Sequence, residues 1–221
     1  ASIGTNSEFA KTDLGNLTPA IVQVEGALTD ERVLTDYQNA ANDFAFNMGL
    51  AIARQVDTDL ASNFSSATNS VGTAGSAVTI SKIAAAVAIL SNNSTPNPIN
   101  AVWHPYHWHA IWTELGQPAS NQAFLGETAN QALRDYFRAG QDLGGAMHFV
   151  SSNIGTTGGT AFSGVFHSSG IVLDERTPLE IETEREAKTR STIYAAHRRY
   201  AHGIWKSEHV VSVLGTVETP S

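Results

Sequence analysis

Residues 34–62 read LTDYQNAANDFAFNMGLAIARQVDTDLAS, and the fold turns on how this stretch is read. It holds no proline and a single glycine, Gly49. The apolar spacing predicts one uninterrupted helix from Leu34 to Ser62, about 42 Å long at about 1.5 Å per residue. That is two to three times the common helix of a globular domain. Steps of about 100° per residue place Tyr37, Ala41, Phe44, Met48 and Ile52 on one stripe. Asp36, Asp43, Asn47 and Arg54 fall on a polar stripe. Further on, the apolar face moves to Leu50, Ala53, Val56, Leu60 and Phe64. The two halves therefore call for different packing partners, as in a strut joining separate regions. A sustained heptad seam, the mark of a coiled coil, is absent.

The rest of the chain must supply those regions. With 221 residues there is enough chain for a sizeable core in one or two domains. Apolar residues make up 42% and charged ones 15%, which excludes a chain disordered throughout. Few charges among many Ser, Thr, Asn, Gly and Ala suit a surface covered by neighbours. The absence of cysteine rules out disulfides and thiolate metal sites. No apolar run is long enough to make a transmembrane helix. A net charge of −8, with 13 Lys and Arg in no stripe, disfavours direct nucleic-acid reading. An acidic protein can still enclose DNA, where repulsion limits sticking.

Ahead of the helix, residues 1–26 are polar and turn-rich, an extended arm leading to one short strand at Ile21–Val24. Thr29 and Asp30 offer caps, and Asp36 is placed to meet the helix macrodipole. Residues 62–77 read as a loop. Thr79 then caps a second helix with Ile80, Ile83, Ala84, Val87 and Leu90 at helical spacing. Ile99–Trp103 is a short buried strand, and Pro105 opens a helix that Gly116 stops. Further elements are a helix over Glu127–Ala139, strands at Ala146–Ser151, Thr160–Phe166 and Ile171–Leu173, and a turn at 155–160. In the last third Leu179, Ile181 and Thr183 alternate with Glu180, Glu182 and Glu184, a strand with an acidic face. Residues 187–189 turn the chain, Ser191–Tyr200 returns, and Val210–Leu214 ends the β-rich part.

Three residue groups invite a chemical reading. His104, His107 and His109 lie in one hexapeptide, and with a remote carboxylate they are the candidates for a metal-dependent hydrolase. On a helix beginning at Pro105, however, His107 and His109 point about 200° apart, which defeats a shared metal. His197, Arg198, Arg199, His202 and His209 could meet anions, but alternate members of a strand face opposite ways, so salt bridges are the expected role. Glu180, Glu182, Glu184 and Glu186 read as a solvated or paired strand face. No GxSxG elbow, phosphate loop or GxGxxG is present. These residues supply no catalytic, cofactor-binding or metal site, and call for no cofactor.

Taken in order, four stretches resemble the major capsid proteins of tailed bacteriophages, the Hong Kong 97-type fold. They are ALTDERVLTDYQNAANDFAFNMGLAIARQVDTDLAS, VTISKIAAAVAILSNN followed by INAVWHPYHWHAI, GGAMHFVSSN, and PLEIETEREAKTRSTIYAAHRRYAHGIWKSEHVVSVLG. The likeness spans most of residues 20–215 and rests on the order of patterns rather than on invariant residues. It implies an α+β fold with an N-terminal extended arm or loop at 1–33 and a long spine helix at 34–63. An α/β axial domain at 64–150 and a β-rich peripheral domain at 151–221, with its return to the axial domain, complete it. It further implies a structural protein, not an enzyme, that assembles with copies of itself in hexamers and pentamers. The product would be an icosahedral virion shell around dsDNA, built in the host cytoplasm, with scaffold, portal or decoration proteins as partners and no membrane. An encapsulin-like nanocompartment is the alternative within the same fold. The departures are a short chain and little room for both arm and extended loop. Lys11 is the one lysine near the arm that could crosslink.

Overall fold

The computed structural model describes residues 17–35, 39–116, 141–143 and 145–217. Two sheets carry it. The first is three-stranded, in the order β1 (Ala20–Thr29), β9 (Ser191–Ile204), β8 (Ile171–Glu186), all antiparallel. The second has seven strands. Its path runs β2 (Asn69–Gly72), β10 (Val210–Thr216), β7 (Thr160–His167), β3 (Ile99–Trp103), β5 (Ala146–Val150), β4 (Gln141–Leu143). The short β6 (Thr156–Thr157) pairs with β7. Four helices complete the described residues: α1 (Asp30–Thr35), α2 (Ala40–Ser62), α3 (Ile80–Asn92) and α4 (Pro105–Gly116).

The expected single helix from Leu34 is corrected. It is two helices, and α2 begins only after Asn39, whose backbone is left-handed (φ 64°, ψ 50°). Asparagine tolerates that conformation better than most residues. Its carbonyl accepts the N–H of Asn42 at 2.9 Å, the first bond of the new helix. Asp36 and Tyr37 lie outside the described residues. The buried stripe of α2 is also narrower than expected: Met48, Ile52 and Val56 are buried, with Phe44 and Leu60 partly so, a run of i, i+4 steps ending on Phe64. Leu50 and Ala53 face outwards instead.

Those steps serve two cores. Phe44, Met48 and Ile52 pack with Val22, Val24, Tyr194 and Ala196 on the three-stranded sheet. Phe64, in a 3₁₀ turn at Asn63–Ser66, lies over Gly164 of β7 with its ring 5.5 Å from that of Phe166. A side chain at 164 would occupy the space of the Phe64 ring, so glycine is what lets the ring seat. The expected strut between packing regions is present, made by α2 and this turn. The larger core lies between the seven-stranded sheet and α3 and α4, with Ile83, Ala86 and Leu90 against Ala101, Trp103, Trp108, Ile111, Val165, Val211 and Val213.

Several further expectations change. β1 runs ten residues, not four, because Ala20–Thr29 pairs along β9 from Tyr200 to Ser191. Asp30 is no cap: its carboxylate takes both guanidinium nitrogens of Arg185, and Arg185 holds it below the usual carboxylate range. Residues 62–77 contain the strand β2, parallel to β10. Thr79 does not cap α3 through its side chain; the N–H of Ile80 donates to Glu114 Oε2 of α4 at 2.8 Å. Ala84 is exposed and Ala86 buried in its place. Ile171–Leu173 and the acidic strand are one element, β8, with register shifts between Glu175 and Glu180. Pro178 falls in that stretch, on an edge strand, where a missing N–H costs little. β3, the start of α4, β5, β7 and β10 lie where the sequence placed them. The helix expected at Glu127–Ala139 and the arm with Lys11 lie outside the described residues.

Candidate functional site

The three clustered histidines are held apart by α4. His104 precedes the helix and caps it: Nδ1 accepts the N–H of Tyr106 at 3.2 Å, and its carbonyl accepts that of Trp108. His107, one turn in, is fully buried beneath β7, with Nδ1 2.8 Å from Ser163 Oγ. Ser163 Oγ also accepts the N–H of His104 at 3.1 Å, so its own proton is free to donate to His107. His109 is part-exposed elsewhere on the helix. Among the described residues no three His, Asp or Glu side chains gather to hold a metal ion. The hydrolase reading has no constellation to stand on in these residues.

Burial pushes the His107 imidazole down to about 4; His104 and Lys82 act the same way and the Gly215 backbone opposes them. The sign follows directly. The unfolded ring takes a proton near pH 6.5 and the folded one near 4, so stability is full above about 6.5 and falls with acid. The expected slope is up to about 1.4 kcal/mol per pH unit across that window. Urea titrations between pH 7.5 and 4.5 check it: His107→Gln should be flatter than the parent chain.

The C-terminal group of cations and histidines points to separate places. His197 Nε2 lies 3.4 Å from Glu180 Oε2 and Arg198 Nε donates to Glu175 Oε1 at 2.7 Å, both across β8 and β9. Arg199 is exposed. His202 Nδ1 meets the Asn63 side chain at 3.0 Å, and His209 Nδ1 meets Ser169 Oγ at 2.8 Å. Cross-strand pairing is thus the role of two of the five. Exposed pairs of this kind contribute little each, about 0–1 kcal/mol. Glu182 and Glu184 lie opposite Ala195 and Ile193, on the sheet face turned away from α2, and are exposed. Glu25 of β1 joins that face opposite Ala195.

Sequence reading missed the groups that join the sheets. Tyr200 OH donates to Asp59 Oδ2 at 2.6 Å, tying β9 to α2, and Gln55 donates to the other oxygen of Asp59. Burial, with Asp59 beside it, raises the Tyr200 hydroxyl above its ordinary range. The Ser163 bridges to His104 and His107 and the Ser169 bridge to His209 were equally hidden, because they join residues 40 or more positions apart. An apolar groove of about 590 Å³ lies where the sheets meet. Leu60 and Phe64 form one wall, Phe149 and Phe166 another, and Ile171 and Leu173 the third.

The outer side of α2 differs from its buried side. Asp43, Asn47 and Arg54 are exposed, and between them Phe46 is 67% and Leu50 41% exposed. Nothing lies within 4 Å of a side chain built at Gly49. Paired apolar side chains bracketed by opposite charges are the composition of a contact surface, not of a catalytic cleft.

A family model described as phage capsid protein matches residues 27–212. Solved structures match at low identity over nearly the whole chain. Mycobacterium phage Che8 is 17% identical, with TM-score 0.68, covering 88% of this chain and 70% of that one. The capsid of Cyanophage P-SCSP1u is 12% identical with TM-score 0.69, covering 99% and 81%. The holo-SrpI encapsulin complex from Synechococcus elongatus is 9% identical with TM-score 0.68, covering 92% and 76%. No curated protein matches. The fold is therefore the α+β Hong Kong 97-type fold of shell subunits. With its family model matched from residue 27 to 212, the chain belongs to the phage capsid protein family, as a major capsid protein.

Proposed function

We propose that this chain tiles a closed icosahedral shell, as hexamers and pentamers of itself, around dsDNA. The family match over residues 27–212 carries the reading. In this scheme the protein works by buried area and charge complementarity, and has no catalytic role. Weak contacts repeated by symmetry close the shell. The seven-stranded sheet with α3 and α4 forms the axial part, and the three-stranded sheet with α2 the peripheral part. Residues 1–33 contribute the arm and β1. Scaffold and portal proteins are partners of assembly, which takes place in the host cytoplasm. The net charge of −8 suits a container that holds DNA without gripping it.

The likeness to the SrpI encapsulin complex gives a second reading, a nanocompartment packaging protein. One preparation tests both. Negative-stain images of the concentrated full chain should show closed particles, and nuclease-protected DNA inside them favours the phage shell. A monodisperse monomer under every assembly condition would overturn both readings.

A further inference from the structure

The two sheets are joined by three connections that lie against one another. Residues 63–68 lead from α2 to β2, Ser168–Gly170 lead from β7 to β8, and 205–209 lead from β9 to β10. The last two are side by side. The β7–β10 ladder reaches Phe166↔Val210 and the β8–β9 ladder starts at Ile171↔Ile204. Between the ladders the N–H groups of Trp205 and Lys206 both turn to the Gly170 carbonyl, at 2.8 and 3.3 Å. Asn69 Nδ2 donates to the Ser207 carbonyl at 3.1 Å and Asn93 Nδ2 to that of Glu208 at 2.9 Å. One hydroxyl spans this joint: Ser169 Oγ lies 2.8 Å from His167 Nδ1 on one connection and 2.8 Å from His209 Nδ1 on the other.

We propose that Ser169, held between His167 and His209, is an acid-released latch that sets the angle between the two sheets. The groove at the sheet junction supports this. Its walls come from both sheets and Ser168 lines it, so a change of angle has space to move into.

The hydrogen-bond logic gives the direction. His167 Nδ1 accepts the N–H of Ser169 at 3.1 Å, which requires a lone pair there. Ser169 Oγ–H then donates to that same nitrogen, and His209 Nδ1–H donates to Ser169 Oγ. A proton on His167 Nδ1 removes the acceptor and sets N–H against N–H. A second proton on His209 leaves two cationic rings with centroids 6.1 Å apart. His209 is buried, and burial pushes its imidazole below the ordinary value. Lys206 and His167 act in the same direction and Glu208 opposes them. Of the neighbouring elements, α3 and β2 bring Asn93 and Asn69, which do not titrate, and α2 brings Asp57 to the groove beside Ser168. The latch is therefore complete while His167 Nδ1 keeps its lone pair and is lost in acid once that nitrogen carries a proton, the burial of His209 holding off the second proton to lower pH.

Hydrogen exchange of the full chain, read at the amides of Ser169 and Trp205 and corrected for intrinsic rates, tests this. Between pH 7.5 and 4.5 protection at both should fall at least about tenfold, the loss expected when a hydrogen bond of the joint is broken. His167→Gln, whose amide oxygen can accept from Ser169 but cannot titrate, should flatten that dependence. Ser169→Ala should show low protection at both pH values. Unchanged wild-type protection across the range, or a His167→Gln chain with the wild-type pH dependence, overturns the latch. Should Ser169→Ala fail to fold, those two measurements still decide.

Discussion

Phe64→Ala is expected to destabilise the subunit by about 3–5 kcal/mol in urea unfolding, without change of slope. Phe64 is nearly fully buried and its ring fills the place that Gly164 leaves open, beside Phe166. Removing it opens a cavity under β7, where the backbone of a central strand has little freedom to collapse. It also removes the last apolar step of α2, so the helix loses its hold on the seven-stranded sheet. Typical domains have about 5–15 kcal/mol in all, so this one ring is a large share. Phe64→Leu keeps much of the volume and should cost less than half as much. A loss below about 1 kcal/mol for the alanine variant would mean that α2 is anchored elsewhere.

The second large effect concerns assembly, not folding. Reversing both outer charges of α2, Asp43→Lys with Arg54→Glu, should leave subunit stability within about 0.5 kcal/mol, since both side chains are exposed. The critical concentration for particles should rise at least about tenfold, because about 1.4 kcal/mol lost per contact is a factor of ten and every contact is repeated by symmetry. The exposed Phe46 and Leu50 between those charges give the neighbour something apolar to cover. Light scattering against protein concentration reads the result. Wild-type assembly by the double variant would place the α2 outer face away from any subunit contact.

What the sequence made legible is what short-range chemistry dictates. Ile99–Trp103 followed by Pro105 could only be a buried strand running into a helix, and it is. Helix geometry alone separated His107 from His109. The period-2 acids of β8 announced a strand with a polar face. Other features depended on partners far along the chain. Asn39 fits a helix as readily as a left-handed break, so the stripe of Tyr37, Ala41 and Phe44 concealed the break at α2. Leu50 and Ala53 look like core residues in any helical wheel, yet in the folded subunit they face outwards. The Thr79 cap lost to Glu114, which lies 34 positions after Ile80, whose N–H it accepts. Pro178 masked the continuity of β8, because an edge strand with shifted register has room for it. The Ser163 and Ser169 bridges leave no local signature at all.

β1 is the first described strand, and it pairs with the return strand of the last hairpin, from Ala20 opposite Tyr200 to Thr29 opposite Ser191. Among the described residues no strand nearer in sequence flanks it in that sheet. During synthesis the early segment must therefore wait for almost the whole chain before it has a partner, and such non-local pairing is slow. Val22 and Val24 of β1 can meet the α2 stripe early, but Tyr194 and Ala196 complete that core only when β9 arrives. The three-stranded sheet is thus completed by one late strand. Pulse-labelled exchange during refolding should find β1 amides protected no earlier than those of β9.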